Sequence, residues 1–326
     1  MNPIMSAQAV RSKLVLGTRP SRLARWQTDN VADALRSAWA GLEIEVRVYT
    51  TQGDRDVQRP LPEIGGKGLF TAEIETALRS GEIDLAVHSL KDLPISDGGD
   101  LVVGAVPVRA PAHDVLVSRH GVTLDALPRA PRIGTSSPRR AAQIRATRPD
   151  AQIVTLRGNL DTRLRKADGQ DFAAIVLAAA GVLRLGFEAR ITQHLPLDVM
   201  LPAPAQGALA LQCRAGDEAT LALLRPIHHV PSWAAVTAER AFLSGLGGGC
   251  SAPVAAYAQP DESGGTDGMS LRLQGLVASL DGERFVRVSG SGPLHDAEQL
   301  GCRLAQEALR KGAGEMLVKD QVTNIK

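Results

Sequence analysis

An α/β fold of two lobes followed by a small α+β domain is predicted for this chain by three observations. Short apolar runs of strand length alternate with helix-period segments from Leu14 to about residue 200. Two proline-rich stretches, VPVRAPAHD from Val106 and LPAPAQG from Leu201, divide that alternation, and an apolar strand pattern follows the second. Past about residue 230 the pattern becomes one helix, alternating strands and a terminal helix. The expected division is a first lobe of residues 13–107 and 208–225, a second lobe of 112–201 and a third domain of 230–319.

Composition narrows the function classes. With 44% hydrophobic and 22% charged residues among 326, the chain is a folded globular protein rather than a disordered one. Five Phe, three Trp and two Tyr offer few platforms for stacked bases, which argues against binding single-stranded nucleic acid. Net charge is only +2, yet Arg139 to Arg190 holds ten basic residues against five acidic ones, a local +5 against −3 elsewhere. Nine of the ten are Arg, whose planar fork suits carboxylate or phosphate. Cys213, Cys250 and Cys302 lack CxxC spacing, so neither disulfides nor a structural zinc are expected. No stretch approaches a membrane span, and the expectation is a cytoplasmic protein without metal.

In the first lobe, Leu14 to Leu16 predicts a strand that ends in Gly17-Thr18-Arg19-Pro20-Ser21. Ser21 then caps a helix with Leu23, Trp26, Val31 and Leu35 on one face, placing Arg19 and Ser21 in a turn that favours anions. Glu43 to Tyr49 alternates as a strand. Thr51 to Gly66 is polar and rich in Gly and Pro, a long loop expected to act as a lid. GGKG at 65–68 is no P-loop, because Leu61 stands where that motif needs glycine. Residues 68–79 predict a helix with Phe70, Ile74, Ala77 and Leu78 on its inner face. Ile83 to Val87 predicts a strand covered on both faces, and His88, Ser89, Lys91 and Asp92 crowd its C-terminal end, where open α/β sheets bind ligands; taken alone they read slightly better as an ordinary loop with a Lys91/Asp92 ion pair.

After a strand at 101–106 and the first crossing, 114–118 and 131–134 predict strands. The second runs into Thr135-Ser136-Ser137-Pro138-Arg139-Arg140, where Ser137 caps a helix and Pro138 fits its first position. Capping alone does not explain the paired arginines, so this is the better of two anion-site candidates. Further strands at 153–156 and 172–177 lead to turns carrying Arg157, Arg163 and Arg184. In the third domain a helix is expected at 234–246, then a glycine loop GLGGGCSAPVAAYA holding Cys250, two strands joined at Asp281-Gly282, and a helix at 296–311. Cys213 and Cys302 fit apolar strand and helix patterns and are expected to be buried. Cys250 follows three glycines that clear space around its sulfur, which fits a nucleophile or an attachment point and equally a turn cysteine without a function.

Seven segments, GTRPSRLA, GGKGLFTAEIE, AVHSLKDLP, GTSSPRRAAQ, LRGNLDTRL, LPAPAQGALALQCR and ERAFLSGLGGGCSAP, occur in the order and spacing of one family. The chain thus resembles the porphobilinogen deaminase (hydroxymethylbilane synthase) family from about Leu14 to residue 318. The resemblance implies two lobes like those of periplasmic binding proteins, with mixed sheets, plus the small third domain. It also implies a monomeric transferase of haem biosynthesis that condenses four porphobilinogen units into hydroxymethylbilane, with no nucleic-acid or membrane partner. By the same resemblance, a dipyrromethane cofactor is attached through a thioether to Cys250, and Lys91, Asp92, Thr135, Ser137, Arg139, Arg140 and Arg163 contact it. Arg19, Ser21, Gln27, Arg157 and Arg184 meet the substrate, and Asp92 is catalytic. The readings that compete with this one are a non-catalytic two-lobed binder of small carboxylates, which leaves Cys250 and the third domain unexplained, and a nucleic-acid-binding protein.

Overall fold

The computed structural model describes residues 11–55, 68–95, 99–247, 252–261 and 269–322. The first lobe comprises β1 (Lys13–Thr18), α1 (Arg22–Ala38), β2 (Glu43–Val48), α2 (Gln52–Arg55), α3 (Ala72–Arg79), β3 (Leu85–Ser89) and β4 (Leu101–Ala105). The second comprises β5 (Asp114–Ser118), β6 (Arg132–Gly134), α4 (Pro138–Thr147), β7 (Gln152–Val154), α5 (Leu160–Ala167), β8 (Ala174–Ala178), α6 (Ala179–Arg184) and β9 (Gln193–His194). The chain then returns through β10 (Leu209–Arg214) and α7 (Glu218–Leu224). It ends with α8 (Val230–Gly245), β11 (Val254–Asp261), β12 (Ser270–Ala278), β13 (Phe285–Pro293), α9 (Ala297–Arg310) and α10 (Ala313–Val322).

The two lobes share one sheet plan. The first sheet runs β2-β1-β3-β10-β4 and the second β7-β6-β8-β5-β9. In each, three strands are parallel and the fourth is antiparallel, β10 beside β3 and β5 beside β8. That antiparallel strand is the one joined directly to a crossing: β5 follows the first and β10 the second. The crossings touch as backbones, Ala110 N donating to Gly207 O at 3.2 Å. Gly207 has φ +89°, and a Cβ there would lie 2.4 Å from Ala110 O, so only glycine permits this approach.

Local patterns explain the elements and correct several expectations. Ser21 caps α1, its Oγ accepting from Ala24 N at 3.3 Å. The buried stripe is Ala24, Gln27, Thr28, Val31, Ala32 and Leu35 rather than one begun by Leu23 and Trp26. At about 100° per residue, Trp26 points roughly 140–180° away from Val31 and Leu35, and it is exposed. The helix expected from 68 starts only at Ala72, because Gly68 has φ +89° and the chain turns before it. Of the 51–66 loop, 52–55 form α2 after the buried Thr51, and 56–66 lie outside the described residues.

The third domain is an antiparallel β11-β12-β13 meander covered by α8 and α9 around Phe242, Leu271, Leu273 and Leu304. Its first strand was expected to be loop; the VAAYA run pairs with β12 along its length. Gly282 makes the β12–β13 hairpin with φ +77°. Cys302, expected to be buried, is exposed, since α9 turns Leu300, Gly301, Leu304 and Ala305 inward and its neighbour outward.

Candidate active site

The turn after β3 departs from strand geometry. Leu90–Asp92 is a single 3-10 turn, closed by Leu93 N donating to Leu90 O at 3.2 Å. Leu90 and Leu93 are both buried, anchoring the turn in the lobe. Adjacent side chains on a strand oppose each other, whereas on a 3-10 turn they stand about 120° apart. Lys91 and Asp92 therefore need not point to opposite faces, and Lys91 reaches the second crossing. Lys91 Nζ donates to Gln206 Oε1 at 3.3 Å. Burial lowers its ammonium to about 8, with Asp92 and Asp114 opposing that shift and Arg140 and Arg139 adding to it. Charges from both lobes thus act on the Lys91 ammonium.

In the second lobe, Thr135 Oγ1 accepts from Ser137 N at 3.1 Å and Ser137 Oγ accepts from Arg140 N at 3.5 Å, so both hydroxyls shape the start of α4. Arg139 and Arg140 are buried and converge on Asp114. Arg140 Nη2 lies 2.6 Å from Asp114 Oδ1, and Arg139 Nη1 lies 2.8 Å from Oδ2. Burial alone would raise the Asp114 carboxyl, but the two guanidinium charges hold it far below the usual range. Gln206 completes the node, its Nε2 donating to Asp114 Oδ1 at 2.9 Å and to Ala112 O at 2.7 Å. Sequence reasoning missed Asp114 and Gln206. A carboxylate opening the apolar strand DVLVS was the signal, because a buried charge demands partners.

Arg163, in α5, donates from Nε to Gly158 O at 2.8 Å. Burial brings it to about 10, and it feels Arg140, Asp92 and Arg157 in that order. Lys91 and Asp92 of the first lobe thus lie within electrostatic reach of Arg139, Arg140 and Arg163 of the second, and Thr135 and Ser137 stand at the helix start that carries Arg139 and Arg140. Arg184 donates to Gly207 O at 2.8 Å and lies 5.9 Å from the Trp26 ring centroid. Arg19 is engaged by Asp54 and stacks 4.3 Å over Phe70. Gln27, buried in α1, donates to Ser89 Oγ at 3.0 Å, which gives Ser89 a structural partner.

His88 is also structural. Its Nε2 is 3.1 Å from Gln212 Oε1, and burial drives its pKa from 6.5 to about 4 despite that bond. The folded imidazole stays neutral while the unfolded one takes up a proton, so His88 costs stability as pH falls from about 6.5 to 4. His88→Gln is expected to flatten the decline of the thermal midpoint across that window. An unchanged pH profile would remove His88 as its cause.

Cys250 lies outside the described residues. Cys213 sits in the first-lobe core, and burial raises its thiol to about 11, a poor setting for a nucleophile. Two further groups join the third domain to the crossings and to the Lys91-Asp92 turn. Glu239 binds Arg109 through both oxygens, at 2.7 and 3.0 Å, and accepts from Ala205 N at 2.6 Å and Ala258 N at 2.7 Å. Arg240 donates to the carbonyls around the Lys91-Asp92 turn. Among the described residues no group of three or more His, Cys, Asp or Glu has the arrangement of a metal site.

Comparison with known proteins gives consistent matches. The family model described as porphobilinogen deaminase, dipyromethane cofactor binding domain, matches residues 14–222, and that for the porphobilinogen deaminase C-terminal domain matches 233–310. The porphobilinogen deaminase of Roseiflexus castenholzii is 48% identical over 308 residues, covering 94% of this chain and 99% of its own. That of Syntrophotalea carbinolica is 46% identical over 319 residues, covering 98% of each. Among solved structures, the methionine binding protein MetQ is similar at a TM-score of 0.40 and 13% identity, over 66% of this chain and 88% of its own. The BvgS VFT2 domain of Bordetella pertussis is similar at 0.39 and 19%, over 66% and 85%. On the strength of the two family models and of relatives near half identity along almost the whole length, this chain belongs to the porphobilinogen deaminase family.

Proposed function

We propose that the protein is a hydroxymethylbilane synthase, joining four porphobilinogen units head to tail with loss of one ammonia at each step to give the linear tetrapyrrole of haem synthesis. The observation that carries this reading is the 3-10 turn that sets Lys91 and Asp92 side by side against the arginines of the second lobe. A dipyrromethane bound as a thioether to Cys250 would supply the pyrrole carbon on which the chain is built. The residues fit such a group: Lys91, Arg139, Arg140 and Arg163 outnumber Asp92 and Asp114. Arg139 Nε is moreover buried without an acceptor, as a site for acetate and propionate side chains requires.

In this reading Lys91, Thr135, Ser137, Arg139, Arg140 and Arg163 hold cofactor carboxylates, while Asp114 keeps the two buried arginines charged and aimed. Asp92 faces the cation left on the incoming pyrrole when ammonia departs and accepts its ring N–H. A fixed carboxylate is most effective where water is excluded. Arg19, Ser21, Gln27, Arg157 and Arg184 receive the incoming pyrrole, Arg19 by exchanging Asp54 for a substrate carboxylate. We also assign the protein to the cytoplasm as a monomer without nucleic-acid or membrane partners. The near-neutral charge supports this, and no described helix is long and apolar enough to cross a membrane.

Intact and peptide mass spectrometry of purified protein tests the reading. A dipyrrole adduct is expected on the Cys250 peptide, with hydroxymethylbilane released from porphobilinogen. Fully active protein bearing no adduct would overturn the cofactor assignment.

A further inference from the structure

We infer that Arg240 is a positioning residue for Asp92, clamping the catalytic turn to the domain that carries Cys250; the inference rests on the role proposed for Asp92. Arg240 lies in α8, whose last residue, Gly245, precedes Cys250 by only five positions. Its guanidinium crosses to the first lobe and spreads over the turn. Nη1 donates to Leu93 O at 3.0 Å and reaches Leu90 O at 3.4 Å, while Nη2 donates to Pro94 O at 2.7 Å. The three carbonyls bracket Lys91 and Asp92 on both sides. The turn itself has one internal backbone hydrogen bond, Leu93 N to Leu90 O; Leu90 and Leu93 are buried, Leu90 N donates to Ala208 O at 3.0 Å and Lys91 Nζ to Gln206 Oε1, but Asp92 is exposed.

A planar fork spanning several acceptors fixes direction as well as distance. Arg240 therefore ties the position of the Asp92 carboxylate to the helix leading into Cys250. Neighbouring Glu239 fastens the same helix to both crossings. The turn, the crossings and α8 consequently share one frame. Small displacements of a reacting group cost large factors in rate, which gives the clamp a catalytic consequence without contact to substrate.

The test compares wild type, Arg240→Gln and Arg240→Lys as purified holoproteins. Arg240→Gln is expected to keep the adduct mass and a KM within about twofold, while kcat falls on the order of 10- to 100-fold. Arg240→Lys restores part of that loss, because an ammonium still reaches one or two of the carbonyls. Hydrogen exchange supplies a readout independent of activity: the 90–94 peptide should exchange faster in Arg240→Gln. Loaded Arg240→Gln with kcat within twofold of wild type, or with unchanged exchange at 90–94, would overturn the inference. If wild type condenses no porphobilinogen, the proposed function fails while the exchange result still decides the clamp. Should Arg240→Gln not fold, Arg240→Lys decides by the same two measurements.

Discussion

Asp92→Asn is expected to leave a loaded but nearly idle enzyme, with kcat reduced on the order of 100- to 1000-fold. Asparagine keeps the volume and one acceptor oxygen but removes the charge that faces the developing cation. The turn is held by the buried Leu90 and Leu93 and by Arg240 on its backbone carbonyls, contacts that the substitution leaves in place. The fold and the adduct should survive, and substrate complexes are expected to accumulate where product formation stalls. Turnover kinetics with mass spectrometry of the enzyme population would settle this. A rate within tenfold of wild type would show that the carboxylate is not the group that meets the cation.

Glu239→Ala is expected to lower stability by about 3–5 kcal/mol, the usual cost of stripping one partner from a buried ion pair. Glu239 has no exposed surface and Arg109 has little, so the guanidinium left behind would be unpaired in the interior. Ala205 N and Ala258 N would lose their acceptors at the same time, and Ala205 already carries φ +61°, a conformation in need of support. Glu239→Gln retains an acceptor for one amide and should cost less than Glu239→Ala. Denaturant unfolding of the holoproteins measures both. A loss under about 1 kcal/mol for Glu239→Ala would mean that other contacts hold the crossings in place.

Much of the fold was legible because most strands are apolar runs bounded by turn residues, as with β3, β5 and β8. The two crossings were marked by proline, and β10 by its apolar pattern. What escaped notice depends on distant partners. The VAAYA strand is too rich in alanine to be distinguished from loop beside a glycine run, and its pairing with β12 makes it a strand. Trp26 reads as core by residue type, yet its angular position on α1 sets it outside. At the candidate site, Lys91, Asp92 and the arginines stood out by their place at strand ends, and only the resemblance gave them roles. The node made by Asp114 and Gln206 did not, because their partners lie in different segments and no local pattern records them.

The placement of β10 has a consequence for synthesis on the ribosome. This strand fills the gap between β3 and β4, yet about 100 residues separate β4 from it, which at roughly 5–20 residues per second is on the order of 5–20 s of translation. During that interval the second lobe is made and acquires its own antiparallel strand, β5, from the start. The earlier-made lobe meanwhile waits with two unpaired strand edges facing a vacant slot, the arrangement most prone to pairing with another chain. Vectorial synthesis therefore reverses the expected order: the lobe that emerges first is completed second, and the nascent chain is most in need of protection between those two events.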